Sequence, residues 1–214
     1  MSDCEKIIRH YLSNKKIAKN TYECVLEGDI SDITVPAQFV NIKLDGLFLR
    51  RPISVCDCVD GELTLIYKVV GQGTEKMSNM TVGERLDVLT GLGNGYDTSV
   101  SGQKPVLLGG GVGVPPMYGL CKALLAEGKK PMVVLGFNKE NEIFYVEKFE
   151  ELEAEVYVAT VDGSAGTKGF VTDVVKTLEF SHFCTCGPEP MLKALDNVKG
   201  IILNGGENRI VDGV

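Results

Sequence analysis

The sequence predicts two domains, an antiparallel β-barrel followed by an α/β domain with a Rossmann-like parallel sheet. In the first half, short runs of β-branched or alternating residues are separated by Gly, Asp and Pro, which is typical of a barrel or a sandwich. In the second half, strand-like and helix-like segments alternate, which indicates a parallel sheet. We place the boundary near residues 101–104, which gives domains of residues 1–102 and 103–214.

Five strands are predicted in the first half. Turn residues such as Gly28–Asp29, Asp45–Gly46 and Asp60–Gly61 separate several of them. The predicted strands are Ile17–Leu26, Ala37–Leu44, Leu47–Val55, Glu62–Val70 and Arg85–Leu89.

The second half predicts four strands, each followed by a helix, with right-handed crossovers. The predicted strands are Pro105–Leu108, Met132–Gly136, Glu155–Thr160 and His182–Thr185. The predicted helices are Met117–Ala126, Ile143–Leu152, Phe170–Leu178 and Pro188–Val198.

The composition excludes several classes of function. The formal net charge is -7 without a basic run, so we expect no binding to nucleic acid or to an anionic membrane. The longest apolar stretches, such as 106–116, are short and interrupted by glycine, so no membrane span is predicted. Charged residues within 1–12 are incompatible with a signal peptide. Together with seven cysteines, an odd number, this indicates reduced thiols and a cytoplasmic protein.

Four of the cysteines form the Cys-x-Cys pairs Cys56/Cys58 and Cys184/Cys186, in strand-like segments where such neighbours share one face. A metal site made from these four is one interpretation. We favour buried structural cysteines, and therefore expect no metal ligands. With only two histidines, His10 and His182, a histidine metal site or a Ser/His/Asp triad is not expected.

Two glycine-containing turns follow predicted strands of the second half. The first is Gly109-Gly110-Gly111-Val112-Gly113-Val114-Pro115-Pro116, where glycine lets the main chain approach a phosphate at a helix N-terminus. A tight connection without a ligand is the alternative, and the strand–turn–helix context favours a nucleotide site. The second is Cys186-Gly187-Pro188-Glu189-Pro190-Met191. Both turns would lie at the carboxyl edge of the sheet, where ligands bind.

Two segments of the first half are suited to phosphate binding. Adjacent arginines in Leu49-Arg50-Arg51-Pro52-Ile53-Ser54 are costly to bury unless an anion such as a diphosphate pairs with them. An edge strand with both arginines in water is the alternative. The segment Tyr67-Lys68-Val69-Val70-Gly71-Gln72-Gly73-Thr74 can offer main-chain N–H groups and a hydroxyl to a second phosphate.

These motifs, in this order and with Leu92-Gly93-Asn94-Gly95 between them, resemble the ferredoxin–NADP reductase superfamily. The chain is most similar to the electron-transfer subunits of class B dihydroorotate dehydrogenases, which it also resembles at Asp162-Gly163-Ser164 and in 166–173. The resemblance spans roughly residues 15–198. It implies an FAD-binding β-barrel, an NAD(P)-binding α/β domain and an NAD(P)H-dependent oxidoreductase activity.

The resemblance also implies a role for particular residues. Ser54 would lie beside flavin N5 and Cys186 near the nicotinamide ring, so these are the candidate catalytic residues. Arg51 would meet the FAD diphosphate. The residues implied at FAD are Arg51, Pro52, Ile53, Ser54, Tyr67, Val69, Gly71, Gly73 and Thr74, and those at the nicotinamide nucleotide are Gly110, Gly111, Val112, Gly113, Asp162, Gly187, Pro188 and Met191.

The sequence favours NADH over NADPH. The segment 136–142 after the second strand has no arginine, and Asp162 can accept from ribose hydroxyls while it repels a 2′-phosphate.

The related subunits carry a two-iron two-sulfur cluster on a cysteine-rich C-terminal segment, and four thiolates are needed to hold it. No cysteine follows Cys186 in this chain, so we expect no cluster.

Three functions are compatible with these features. We favour an FAD-dependent electron-transfer subunit for pyrimidine biosynthesis. It would oxidise NADH by hydride transfer to flavin N5 and pass electrons, within a hetero-oligomer, to an electron-accepting flavoprotein or iron–sulfur subunit such as a dihydroorotate dehydrogenase catalytic subunit. A free-standing NAD(P)H-dependent reductase of flavins, ferredoxin or quinones is the alternative. A nucleotide-binding regulatory protein without redox activity is the third hypothesis.

Overall fold

The computed structural model describes the backbone of residues 6–202 and the side chains of residues 10–195. The chain divides into two compact units between Tyr96 and Asp97. The sequence placed the boundary a few residues later, after residue 102. The intervening residues contain a short 3-10 turn, Thr98–Val100, so either division leaves both sheets intact.

The first unit is a closed barrel of six antiparallel strands, which confirms the predicted architecture. The strand order around the barrel is β1-β2-β5-β4-β3-β6, and closure leaves no edge strand exposed. Helix α1 (Gln72–Ser78) lies in the sequence between the last two strands of the barrel. The strands are β1 (Lys6–Ala18), β2 (Thr21–Glu27), β3 (Phe39–Lys43), β4 (Arg51–Val59), β5 (Glu62–Lys68) and β6 (Arg85–Leu92).

Three elements of the barrel differ from the sequence prediction. The predicted strand Ile17–Leu26 runs across the turn between β1 and β2, where Asn20 has a positive φ of 54°. Most of β1 escaped prediction because two register irregularities interrupt its alternation of apolar and polar residues. The predicted strand Leu47–Val55 begins too early, since β4 starts at Arg51. Helix α1 was not predicted because it is only seven residues long and contains Gly73, and glycine disfavours a helix.

The second unit is a five-stranded parallel sheet with helices, again as predicted. Four short elements were not predicted: strand β10 (Thr167–Lys168) and the 3-10 turns Thr98–Val100, Gly111–Gly113 and Glu140–Glu142. Helices α3 and α4 are shorter than predicted. The elements are β7 (Pro105–Gly110), α2 (Val114–Ala126), β8 (Met132–Phe137), α3 (Val146–Glu151), β9 (Glu155–Thr160), β10 (Thr167–Lys168), α4 (Val171–Val175), β11 (His182–Cys186) and α5 (Glu189–Ile202).

The order of strands in this sheet determines where a ligand can bind. The order is β10-β9-β8-β7-β11, so the chain moves from β7 outward to one side and then returns to place β11 on the other side. In an open parallel sheet, the crevice at such a change of direction lies at the carboxyl ends of the two strands and accepts ligands. Here those strands are β7 and β11, with Gly109 opposite Cys186.

Each unit has its own apolar core. Every residue of β7 is buried, as expected for a central parallel strand covered on both faces. In the barrel, the core includes Leu26, Ile42, Leu63, Leu65 and Val88, all inaccessible to solvent. Across the described residues, no helix combines the length and the apolar character needed to cross a membrane.

Candidate functional site

The two glycine-containing turns meet at the carboxyl ends of β7 and β11. The first turn continues from β7 into a 3-10 turn, Gly111–Gly113, and then into α2. A Cβ atom on Gly113 would overlap the main-chain carbonyl of Cys186 and the nitrogen of Gly187. The two main chains therefore touch directly, and only glycine permits this contact.

Met191 fills the space beside these turns. Its side chain is half-buried and packs on the core of the second unit. A Cβ on Gly110 would come within 2.5 Å of the Met191 sulfur and within 3.0 Å of Pro188 Cδ, and a Cβ on Gly187 would come within 2.6 Å of Met191 Cε. Gly110, Gly187 and Met191, all predicted from the sequence as ligand contacts, thus pack tightly against one another.

The middle of the first turn remains open. Gly111 has a positive φ of 52°, and a Cβ there would meet no atom of the described part of the chain within 4 Å. The next side chain, Val112, is 45% exposed. This edge therefore presents bare main chain together with a small apolar side chain, which suits the close approach of a nucleotide.

Cys186 closes β11 at this edge, and its thiol is buried. Burial raises the pKa of Cys186 to about 11, so the side chain is an uncharged thiol at neutral pH. A neutral, buried thiol is a poor nucleophile. The arrangement favours Cys186 as a packing and contact group over covalent chemistry.

Asp162 lies in the exposed loop that follows β9. Its Oδ1 atom accepts hydrogen bonds from Ser164 Oγ at 2.6 Å and from the Ser164 main-chain nitrogen at 3.0 Å. These two bonds, with a smaller contribution from Lys139, hold the pKa of Asp162 below its ordinary value. The carboxylate is therefore ionised at neutral pH. The sequence analysis did not assign a role to Ser164, although Asp-x-Ser after a strand is a signal for this kind of turn.

In the barrel, the two adjacent arginines have different surroundings. Arg50, just before β4, donates to Asp87 Oδ1 of β6 through both terminal nitrogens, at 3.0 Å each. Arg51 lies against the start of α1, where a Cβ on Gly73 would overlap its guanidinium group. The same guanidinium donates to the main-chain oxygen of Leu49. The sequence grouped both arginines as anion partners, but the anion within the protein is Asp87 for Arg50, and only Arg51 lies beside the glycine turn.

Thr74 holds this turn together. Its hydroxyl accepts from the main-chain nitrogen of Val70 at 2.9 Å and donates to the Gly71 carbonyl at 3.1 Å. The sequence predicts that this hydroxyl can bind a phosphate, but in the structure it forms hydrogen bonds within the turn. Thr74 can shape a phosphate site without contributing its hydroxyl.

Tyr67 faces the barrel core and is 1% exposed. Its hydroxyl donates to Asn14 Oδ1 at 3.0 Å. The side chain is therefore part of the barrel core, and the predicted contact of Tyr67 with FAD would involve its main chain. The main-chain nitrogen of Val69 is bonded to the Asn20 carbonyl at 2.7 Å.

The remaining predicted flavin contacts follow Arg51 along β4. Pro52, Ile53 and Ser54 are partly exposed, and Ile53 also packs on the barrel core. Ser54 is paired with Phe39 of β3. The strand thus presents these residues in sequence directly after the arginine.

The described residues contain no group of three or more His, Cys, Asp or Glu side chains arranged to hold a metal ion. The six cysteines within the described region form no disulfide bond.

Comparison with known proteins identifies the class. The oxidoreductase NAD-binding domain family matches residues 107–197. The structure of an NADH-dependent reduced ferredoxin-NADP oxidoreductase, from work on flavin-based electron bifurcation, superposes with a TM-score of 0.78 at 30% identity and covers 91% of this chain and 72% of that one. A ferredoxin NADP+ reductase from Neisseria gonorrhoeae with bound FAD and NADP shares the fold, with a TM-score of 0.84 at 14% identity over 97% of this chain and 98% of that one. The chain therefore resembles NAD(P)-dependent oxidoreductases and has the fold of the ferredoxin reductase type.

Curated relatives identify the family within this class. The electron transfer subunit of dihydroorotate dehydrogenase B (NAD(+)) from Fusobacterium nucleatum is 46% identical over 201 residues, covering 87% of this chain and 77% of the relative. The subunit of the same name from Bacillus mycoides is 47% identical over 195 residues, covering 86% and 75%. The chain belongs to the family of dihydroorotate dehydrogenase B electron transfer subunits.

The contact between Gly113 and Cys186 predicts a ranking of glycine substitutions. We expect Gly113→Ala to lower the free energy of unfolding by about 3 kcal/mol or more, or to prevent folding, because main chain must move to relieve the overlap. Gly111→Ala and Gly128→Ala are the matched controls, since each has a positive φ and open space, and each should cost about 1–2 kcal/mol. Denaturant unfolding measures all three. A Gly113→Ala variant as stable as the controls would refute the close contact.

Proposed function

We propose that this protein oxidises NADH by hydride transfer to N5 of FAD and passes the electrons to a partner oxidoreductase, such as a dihydroorotate dehydrogenase catalytic subunit. The observation that carries the proposal is the open glycine turn held at the carboxyl edge by the contact between Gly113 and Cys186. The chain combines this edge with about 46% identity to proteins named as electron transfer subunits. FAD, when bound, supplies a group that accepts two electrons at once and can release them singly.

The barrel unit offers the residues to hold FAD. We assign the diphosphate to Arg51, because its guanidinium already lies where Gly73 leaves room, and arginine binds phosphate oxygens in pairs. Thr74 fixes the shape of this turn through its bonds to Val70 and Gly71. Pro52, Ile53 and Ser54 then extend along β4 toward the flavin, with Ser54 beside N5. Tyr67, Val69 and Gly71 contribute main chain only.

The α/β unit offers the residues to hold the nicotinamide nucleotide. We assign its phosphates to the turn Gly111-Val112-Gly113, in which Gly111 and Val112 are open at the edge of the sheet and Gly113 packs against Cys186. Gly110, Gly187, Pro188 and Met191 support these turns by packing. Cys186 lies near the nicotinamide ring as a neutral thiol. Such a group places no charge beside a ring whose charge changes during hydride transfer.

We assign Asp162 to the ribose of the adenosine half. Its ionised carboxylate can accept hydrogen bonds from ribose hydroxyls and repels a 2′-phosphate. NADH is therefore the proposed donor, with NADPH disfavoured.

The proposed electron acceptor follows from the family and not from the residues of the site. Its support is the family, whose members are named as subunits of a dehydrogenase, so we expect a hetero-oligomer with a flavoprotein or iron–sulfur subunit in pyrimidine biosynthesis. The six described cysteines form no disulfide bond, which favours the reducing cytoplasm as the location.

The visible absorption spectrum tests the proposal directly. We expect the purified protein to show flavin absorbance that bleaches when NADH is added without oxygen. The reduced protein should then pass electrons slowly to free flavins or quinones and rapidly to the partner. A colourless protein that fails to take up added FAD would contradict the proposal. Full turnover with a natural acceptor and no partner would support a free-standing reductase.

The Arg51 assignment predicts a specific loss of FAD affinity. We expect Arg51→Ala to weaken FAD binding about ten- to hundredfold, because charge-assisted bonds to the diphosphate are lost. Arg85→Ala is the control, since Arg85 is an exposed arginine on β6. Flavin fluorescence titration of the apoprotein measures both variants. Equal affinities for the two variants would argue against Arg51 at the diphosphate.

The Asp162 assignment predicts a change in nucleotide preference. We expect Asp162→Ser to lower the ratio of NADH to NADPH affinity by about three- to tenfold, because a hydrogen-bond acceptor and a repelling charge are both removed. Asp97→Ser is the matched control, since Asp97 accepts from Ser99 in an equivalent turn. Calorimetry with NAD+ and NADP+ measures the ratio without turnover. An unchanged ratio in Asp162→Ser would exclude Asp162 as the determinant.

A further inference from the structure

Ser164 connects the two loops that follow β8 and β9. Its hydroxyl donates to Asp162 Oδ1 at 2.6 Å and accepts from the main-chain nitrogen of Glu140 at 2.8 Å. One hydroxyl carries one proton, so it can be the donor to Asp162 in the loop after β9 and the acceptor from Glu140 in the loop after β8 at the same time. The carboxylate of Asp162 is thereby tied to the main chain of the neighbouring loop.

The two hydrogen bonds from Ser164 hold Oδ1 of the Asp162 carboxylate and do not involve Oδ2. Both Ser164 donors bind Oδ1 of Asp162, so the capacity to accept from an outside hydroxyl lies mainly on Oδ2. A carboxylate held by two bonds to one oxygen has fewer orientations than a free exposed side chain. Less conformational entropy is then lost when Oδ2 binds a ligand.

The main chain around Asp162 is also constrained. Thr160 is fully buried, and its hydroxyl donates to the Ala165 carbonyl at 2.6 Å and accepts from the Ala165 nitrogen at 3.1 Å, which closes the loop. A Cβ on Gly166 would overlap the Val158 carbonyl, so the loop returns close against β9. The nitrogen of Asp162 donates to the Asn138 carbonyl at 3.3 Å. Ser164 therefore acts on a carboxylate whose main chain is already placed.

We propose that Ser164 is a positioning residue that holds Asp162 as the ribose acceptor and thereby sets the preference for a nucleotide without a 2′-phosphate. This inference rests on the proposed role of Asp162. It assigns to Ser164 the orientation of the carboxylate, while Asp162 supplies the charge.

Charged groups on both neighbouring loops contribute to the local field. Lys139 lies close enough to stabilise the Asp162 carboxylate, and the Lys168 side chain packs against Gly163. Glu140 and Glu142 add negative charge on the loop after β8. Neither lysine changes in a Ser164 variant, so the effect of losing the hydroxyl can be measured against a constant background.

The test compares Ser164→Ala with Ser164→Thr and Ser99→Ala. Ser99 donates to Asp97 Oδ1 through its nitrogen at 3.0 Å and its hydroxyl at 2.6 Å, so Ser99→Ala removes the same kind of bond away from the carboxyl edge. We expect Ser164→Ala to lower the ratio of NAD+ to NADP+ affinity by about three- to tenfold in calorimetry. Ser164→Thr, which keeps the hydroxyl, and Ser99→Ala should retain the wild-type ratio.

The pH dependence gives a second readout that a general loss of structure would not produce. Asp162 has a lowered pKa in the folded protein, so its ionised form persists until the pH falls through that lowered value. Removing the Ser164 hydroxyl raises this pKa toward its ordinary range, and NAD+ affinity should then be lost at a higher pH during acidification. The affinity of Ser164→Thr should follow the wild-type curve.

The outcomes separate the two proposals. If Asp162→Ser changes the ratio while Ser164→Ala changes neither the ratio nor the pH curve, the positioning role is refuted and the Asp162 assignment stands. If neither substitution changes the ratio, the Asp162 assignment fails and the role of Ser164 fails with it. If Ser164→Ala does not fold, a wild-type ratio and pH curve in Ser164→Thr together with a shifted curve in Ser164→Cys would support the role, and identical curves in both would refute it.

Discussion

The α/β unit depends on the contact between the main chains of Gly113 and Cys186. This contact places the turn after β7 directly against the end of β11, at the point where the strand order changes direction. Any side chain at position 113 would separate the two strand ends. The contact therefore brings two distant segments together and leaves Gly111 and Val112 open at the carboxyl edge. The packing of Gly113 against Cys186 therefore holds the turn in the position where Gly111 and Val112 are accessible.

The barrel uses glycine in the same way, with a side chain as the partner. Gly73 makes room for the guanidinium of Arg51, and Thr74 holds the turn in shape. Arg50, one residue earlier, points to Asp87 and joins two strands of the barrel. One arginine is thus neutralised within the protein and supports the fold, while its neighbour lies beside the glycine turn. Arg50 lies just before β4 and Arg51 is its first residue, so the two arginines differ in backbone position as well as in partner.

The sequence predicted most of the architecture because the relevant signals are local. Glycine clusters, turn residues and apolar strands predicted the barrel, the parallel sheet and the two glycine-containing turns of the α/β unit. Contacts between residues far apart in the sequence could not be predicted from such local signals. The hydrogen bond from the Tyr67 hydroxyl to Asn14 of β1 spans 53 positions, and no local pattern identifies that partner. The pair of Arg50 and Asp87 spans 37 positions and removes one of two predicted anion partners. In β1, register irregularities masked a strand whose partners lie in β2 and β6.

The two Asp-x-Ser turns show why a local motif does not define a site. Asp97 with Ser99 and Asp162 with Ser164 share the same pair of hydrogen bonds, at 2.6 and 3.0 Å in both turns. The first precedes the sheet and caps the 3-10 turn Thr98–Val100. The second follows β9 at the carboxyl edge, and its serine also accepts from the loop after β8. The same three atoms thus stabilise a turn in one place and hold a carboxylate at the carboxyl edge of the sheet in the other. Topology decides between these roles, because only the parallel sheet carries the second turn to the edge where nucleotides bind.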